Sequence, residues 1–177
     1  MKKLVAAMLC LALSLMCTVG LANEKIDPSE LQIGVIMIGD TSDMGFNYSH
    51  LVGLQEMQKN LGIEDRQITI LENVADDSTC ADAISELISN GCNVIIGNSF
   101  GFQTYMYEAA AQHPEVLFCH YSGLLQNDTN FCRFNARNYQ TRYLQGIAAA
   151  MRSESGKIGL VGAFKNAEVN VSLNAYA

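Results

Sequence analysis

Short, almost wholly apolar runs, each ending in a polar loop and followed by helical spacing, constrain this chain more than any other feature. The first occupies residues 31–38, L-Q-I-G-V-I-M-I, with β-branched Ile33, Val35, Ile36 and Ile38. A run that brief and that uniformly apolar reads as a strand buried on both faces, as in a parallel sheet. Gly39-Asp40 breaks it, and residues 41–45 form a polar loop in which Gly45 is free to take positive φ. Apolar spacing then turns helical through Leu51, Leu54, Met57 and Leu61 until Gly62 stops it. Ligands in open α/β sheets sit at the carboxyl ends of the strands, which makes this loop the first place to look for a site.

The same unit recurs. Ile68, Ile70 and Leu71 mark a second strand within residues 66–72, and residues 73–78 a polar loop. Ser78 or Thr79 can cap a helix with Ala83, Ile84, Leu87 and Ile88 on one face, ended by Asn90-Gly91. Residues 93–97 give a third strand, 98–101 its terminal loop, and 102–113 a third helix stopped by Pro114. Residues 116–120 and 131–135 read as a fourth and a short fifth strand. A helix over 138–152 should turn Tyr139, Tyr143, Leu144 and Ile147 inward, with Gly146 and the alanines 148–150 allowing close packing. Residues 157–162, K-I-G-L-V-G, read as a new strand, and Glu168 onward as a new helix. Strand–helix alternation with short loops means βαβ units, and hence an α/β fold with a parallel, doubly wound sheet.

The first 22 residues stand apart. Lys2-Lys3 is a basic n-region, residues 4–16 an apolar run, and Gly20-Leu21-Ala22 offers small residues for cleavage. Together they read as a secretory signal peptide, with the mature chain starting near Asn23. The apolar run falls short of the roughly 20 residues a membrane span needs. Cys17 raises a lipid anchor as a second mode of export, but Met16 stands where a lipoprotein signal wants a small residue. Net charge is −7 and becomes more negative once Lys2 and Lys3 are removed. An acidic chain without a basic stripe excludes nucleic acid as a partner and disfavours a polyphosphate ligand.

Four cysteines lie beyond the leader. Cys80 and Cys92, at opposite ends of one predicted helix, would be roughly 18 Å apart, beyond disulfide reach. Cys119 and Cys132 sit in successive strands and could meet if those strands are neighbours; the alternative is four free buried thiols. Enzyme signatures are missing: residues 39–45 match neither GxGxxG nor a Walker loop, and no G-x-S-x-G elbow occurs. His50, His113 and His120 are scattered, and His120, closing a strand at the ligand edge, has the best chance of touching a ligand. Neither a metal nor a cofactor is expected.

Binding chemistry is better represented. Loops at residues 40–47, 98–101 and 121–123 follow successive strands and offer Phe46, Tyr48, Phe100 and Tyr121 as aromatic faces. Asp43, Asn47, Asn98, Ser99 and Ser122 supply short polar groups beside them. Aromatic faces with a polar edge suit a flat heterocycle carrying ring N–H donors. Phe102 and Tyr105 fall at helical spacing and belong to the core. Asp40 and Asp43 are open between ligand contact and loop bracing.

Four segments taken together resemble a known family: D-M-G-F-N-Y-S-H, G-N-S-F-G-F, N-Y-Q-T-R-Y-L-Q-G-I-A-A-A and K-I-G-L-V-G-A-F. In order and over essentially the whole mature chain, they resemble the basic-membrane-protein (BMP) family of ABC-transporter substrate-binding proteins. The resemblance implies a type I periplasmic-binding-protein lobe, with a cleft between two α/β lobes and a purine nucleoside or base as ligand. An ABC permease in the inner membrane would be the partner, at the periplasmic or extracytoplasmic face. Asp43, Phe46 and Tyr48 match the family's first loop and Asn98, Ser99 and Phe100 its third-strand loop, with Phe46 where many members have Trp. On this reading residues 23–155 form an N-terminal lobe and 156–177 the truncated start of a second, so the chain would bind weakly if at all. Two other functions remain in view: a ligand-sensing module of a signalling receptor, and an exported nucleoside hydrolase. A hydrolase would want an acidic cluster, of which only Asp40 and Asp43 are close together.

Overall fold

The computed structural model describes residues 26–163 and 165–177; the leader over residues 1–22, with Cys17, lies outside the described residues. Five short strands form one sheet: β1 (Ile33–Ile36), β2 (Ile68–Leu71), β3 (Val94–Gly97), β4 (Leu117–Tyr121) and β5 (Phe131–Phe134). Their order is β2-β1-β3-β4-β5 and every neighbouring pair is parallel. The α/β class and the parallel, doubly wound sheet expected from the alternating pattern are present. Five helices follow: α1 (Phe46–Leu61), α2 (Thr79–Ser89), α3 (Gln103–Gln112), α4 (Asn138–Arg152) and α5 (Ala167–Tyr176). Among the described residues no helix is long and apolar enough to cross a membrane.

Period-two alternation sends each strand's side chains to opposite faces, and both faces are covered. Ile33 and Val35 join Leu54 of α1 and Ile63 in one core layer. Ile36, Ile95 and Phe118 join Ile84 and Leu87 of α2 and Met106 of α3 in the other. Phe102 is fully buried and Tyr105 packs against this second layer, as their spacing predicted. A Cβ on Gly34 would lie 2.7 Å from Leu87 Cδ1, so the glycine lets α2 seat closely on the sheet. The connection from β4 to β5 contains no helix. It is braced by Asn130, whose amide nitrogen donates to the carbonyls of Ala110, His113 and Val116, each at 2.9 Å.

Three sequence expectations are corrected here. Helix α1 begins at Phe46, so Phe46, Asn47 and Tyr48 are its first turn rather than part of a loop. Residues 157–162 form no strand; their backbone runs irregularly and largely exposed. A strand exists only through a neighbour's ladder of hydrogen bonds, and no described strand offers one to this segment. Helix α4 does not turn its apolar side inward: of its residues Gly146 alone is buried, while Leu144 and Met151 are 65% and 81% exposed. Its packing partner is α5, whose C-terminal end approaches so closely that a Cβ on Gly146 would lie 2.1 Å from the Tyr176 carbonyl oxygen.

Candidate functional site

Strand order reverses direction at β1 and β3, so the loops that leave these two strands diverge and open a crevice between them. The loop after β1 is built by local hydrogen bonds. Asp40 caps a single helical turn at Thr41–Asp43, accepting from Ser42 N–H at 2.9 Å and from the Ser42 hydroxyl. Thr41 donates through its N–H and hydroxyl to Glu72 Oε1 at the end of β2.

Asp43 then caps α1. Its carboxylate accepts from the N–H groups of Gly45 (2.9 Å), Asn47 (2.8 Å) and Tyr48 (3.0 Å) and from Asn47 Nδ2 (2.9 Å). These N–H donors, which a helix start leaves otherwise unsatisfied, hold the carboxyl at a pKa of about 2. Asn47 Oδ1 in turn accepts from Asn98 Nδ2 at 2.8 Å, and Asn98 Oδ1 accepts from Ile38 N–H at 3.0 Å. Asp43, Asn47 and Asn98 thus form one buried-to-surface relay that stitches the loop after β1 to the loop after β3.

In front of this relay lies a cavity of about 410 Å³, within the range usual for small-ligand sites. Phe46, Asn98, Ser99, Phe100 and Ser122 of the sequence-derived set line it, and so do Asp76, Asn138, Arg142 and Glu168. Phe46 is 45% exposed, with its ring set edge-on to His50 and Tyr121 at centroid distances of 4.8 and 5.8 Å. Asp76, in the loop that follows β2, accepts from Ser99 Oγ at 3.0 Å. Gly101 permits that approach, since a Cβ there would sit 2.2 Å from Asp76 Cγ.

Asp43, Asn47, Tyr48 and Tyr121 stand outside the lining. Tyr121 is only 6% exposed and backs the wall, its ring among Phe46, His50 and Phe134 and its hydroxyl accepting from Asn138 Nδ2 at 2.8 Å. Burial pushes the Tyr121 hydroxyl pKa up, and the nearby Glu168 carboxylate adds to this. Burial pulls the His50 pKa down, against the opposing pull of Glu168. His120, expected at the ligand edge, is fully buried instead, its Nε2–H donating to the Ser99 carbonyl at 2.7 Å. It supports the third-strand loop from beneath. Gly123 makes room for it, because a Cβ there would meet Nδ1 at 2.1 Å.

Sequence reasoning missed Asp76, Asn138, Arg142 and Glu168. Asp76 carried a usable signal, since it too follows a strand of the sheet. Asn138 and Arg142 lay in a matched segment read as packing. Glu168 comes from a distant helix, and local pattern offers nothing to find it.

A model of the family described as ABC transporter substrate-binding protein PnrA-like, Bmp, matches residues 30–177. The chain belongs to the Bmp family. Proteins similar to this Bmp chain include a purine-binding protein of Brucella abortus, 34% identical over 155 residues, which are 88% of this chain and 42% of the relative. A putative ABC transporter glucose-binding protein of Haloferax volcanii is 32% identical over 143 residues, 80% of this chain and 35% of that one. The fold is similar to that of a 5-methylthioribose transporter solute-binding protein from Thermotoga lettingae, with a TM-score of 0.60 at 14% identity over 84% of this chain and 46% of the other. The family is one of ABC-transporter substrate-binding proteins, and the relatives and structure named above are described as binding proteins. The Bmp chain spans less than half the length of these curated relatives.

Proposed function

We propose that the chain supplies one wall of the ligand cleft of an exported solute-binding protein that captures a purine nucleoside or nucleobase for an ABC permease. The observation that carries this reading is the cavity at the β1/β3 crevice, where the exposed ring of Phe46 shares a wall with Asn98, Ser99 and Phe100. A flat heterocycle would lie against the aromatic side while its ring nitrogens meet amide and hydroxyl groups. Family membership and the purine-binding relative support the same ligand class. Within this reading residues 1–22 are the export signal, 23–155 the N-terminal lobe and 156–177 the beginning of a second lobe. Asp43, Asn47, Tyr48 and Tyr121 then serve the site as framework behind the contact surface.

The test is titration of adenosine, guanosine, inosine and glucose into isotope-labelled protein, followed by nuclear magnetic resonance, which detects weak as well as tight binding. Saturable shifts at the amides of Asn98, Ser99 and Phe100 with at least one nucleoside are expected. Shifts with glucose alone would favour a sugar, in line with the Haloferax volcanii relative. A folded protein unmoved by any of the four would sink the reading.

A further inference from the structure

Cys119 of β4 and Cys132 of β5 are direct register partners, and their sulfurs lie 3.5 Å apart. Opposed residues on neighbouring strands stand about 4.8 Å apart, inside the range of Cα separations that a disulfide bridges. Cys132 is exposed on the edge strand, Cys119 is half-buried, and Cys80 and Cys92 are buried among the side chains under α2. Geometry and access therefore single out one pair of the four.

We propose that Cys119 and Cys132 are an oxidisable pair that closes to an intrachain disulfide by exchange with a disulfide donor, fastening β5 to β4 two residues before Tyr121 and Phe134. In the first step the exposed Cys132 thiol loses its proton and its sulfur attacks one sulfur of the donor. The donor S–S bond breaks, one half leaves as a thiolate, and Cys132 holds the other as a mixed disulfide. Cys119 then gives up its proton and attacks Cys132 Sγ; the mixed bond breaks and the second half leaves. Two protein thiols are oxidised, the donor is reduced to two thiols, and the released protons balance the departing thiolates. Burial pushes the Cys119 thiol up, and the exposed Cys132 therefore makes the opening attack.

The bond would act on the site's supports. Two residues beyond it, Tyr121 and Phe134 are again register partners, with rings 5.5 Å apart, and β5 runs on towards Asn138 at the start of α4. Fastening the edge strand there fixes the backing of Phe46 and the approach to Asn138 together. This inference does not depend on which ligand the cavity takes.

The experiment incubates the folded, reduced protein with oxidised glutathione, then digests it without reductant for peptide mass spectrometry. A cross-linked peptide pair containing Cys119 and Cys132 is expected, with both thiol hydrogens lost from the intact mass and restored by dithiothreitol. Cys119→Ser should stop at a glutathione adduct on Cys132. Free Cys119 and Cys132 after incubation, a stable adduct on Cys132 in the unmutated chain, or bridges made chiefly through Cys80 or Cys92 would each overturn the proposal. So would failure of the Cys119→Ser chain to trap the adduct.

Discussion

Asp43 illustrates how far a single residue type can be read. Its place before an apolar helical pattern is compatible with a ligand carboxylate or a cap, and the hydrogen bonds to Gly45, Asn47 and Tyr48 decide for the cap. Its pKa in the fold, about 2, lies below the ordinary 3.8. The stabilisation is therefore complete above the unfolded value and is lost as pH falls from about 4 towards about 2. Asp43→Asn should lower the urea midpoint at neutral pH and flatten its fall across that acid window; an unchanged acid slope would assign the dependence to other carboxylates. Phe46 is the opposite case, a ring whose exposure leaves it available. Phe46→Ala should weaken nucleoside binding by up to about tenfold, the worth of one aromatic contact, while the unfolding midpoint moves little. Calorimetry with Phe46→Tyr as the aromatic-retaining control separates lost stacking from a disturbed wall. His120 was misjudged from sequence because position at a strand's end does not reveal which way the ring turns.

At the scale of elements, the crevice exists because β1 and β3 are neighbours whose following loops diverge, and Asn47 and Asn98 hold those loops in register. Asn98→Ala would strand the half-buried Ile38 N–H and leave the Asn47 side-chain oxygen with only the longer bond from Gly39 N–H at 3.4 Å, at a cost of about 1–3 kcal/mol. Chemical denaturation should show that loss. Combining it with Asn47→Ala should cost less than the two changes summed, because both remove the same bond. Additive costs would mean that the relay is not a unit. The β4–β5 pair offers a second measurement, since a cross-link there closes a separation of 13 residues. Constraining the unfolded chain in this way is worth about 3 kcal/mol, less whatever strain the bond imposes, and the oxidised form should unfold at correspondingly higher denaturant.

For the molecule as a whole, the notable surface is the apolar side of α4, where Tyr143, Leu144, Ile147 and Met151 face solvent, with exposed Ile158 and Leu160 next to Tyr143 and Ile147. Contiguous exposed apolar groups of this kind drive association. The apparent mass from light scattering should rise with concentration, and rise further as pH approaches the isoelectric point near 4.8, where mutual repulsion fades. Leu144→Lys combined with Met151→Lys should suppress it. An apparent mass that is independent of concentration, or indifferent to both substitutions, would exclude this face as the cause.

What the sequence determined by itself was everything that period and punctuation encode: five strands, the helices between them, a parallel sheet and a crevice at its carboxyl edge. Those properties follow from hydrophobic spacing and turn chemistry within a dozen residues, so a single chain displays them. The tertiary structure alone decided which side chains reach the cavity, because that depends on strand order and on partners far apart along the chain. Asn98 meets Asn47 across 51 positions and Ser99 meets Asp76 across 23, while Glu168 arrives on a separate helix. The strand read into residues 157–162 failed for a related reason: apolar, β-branched residues supply the propensity, but only a neighbouring strand supplies the hydrogen bonds.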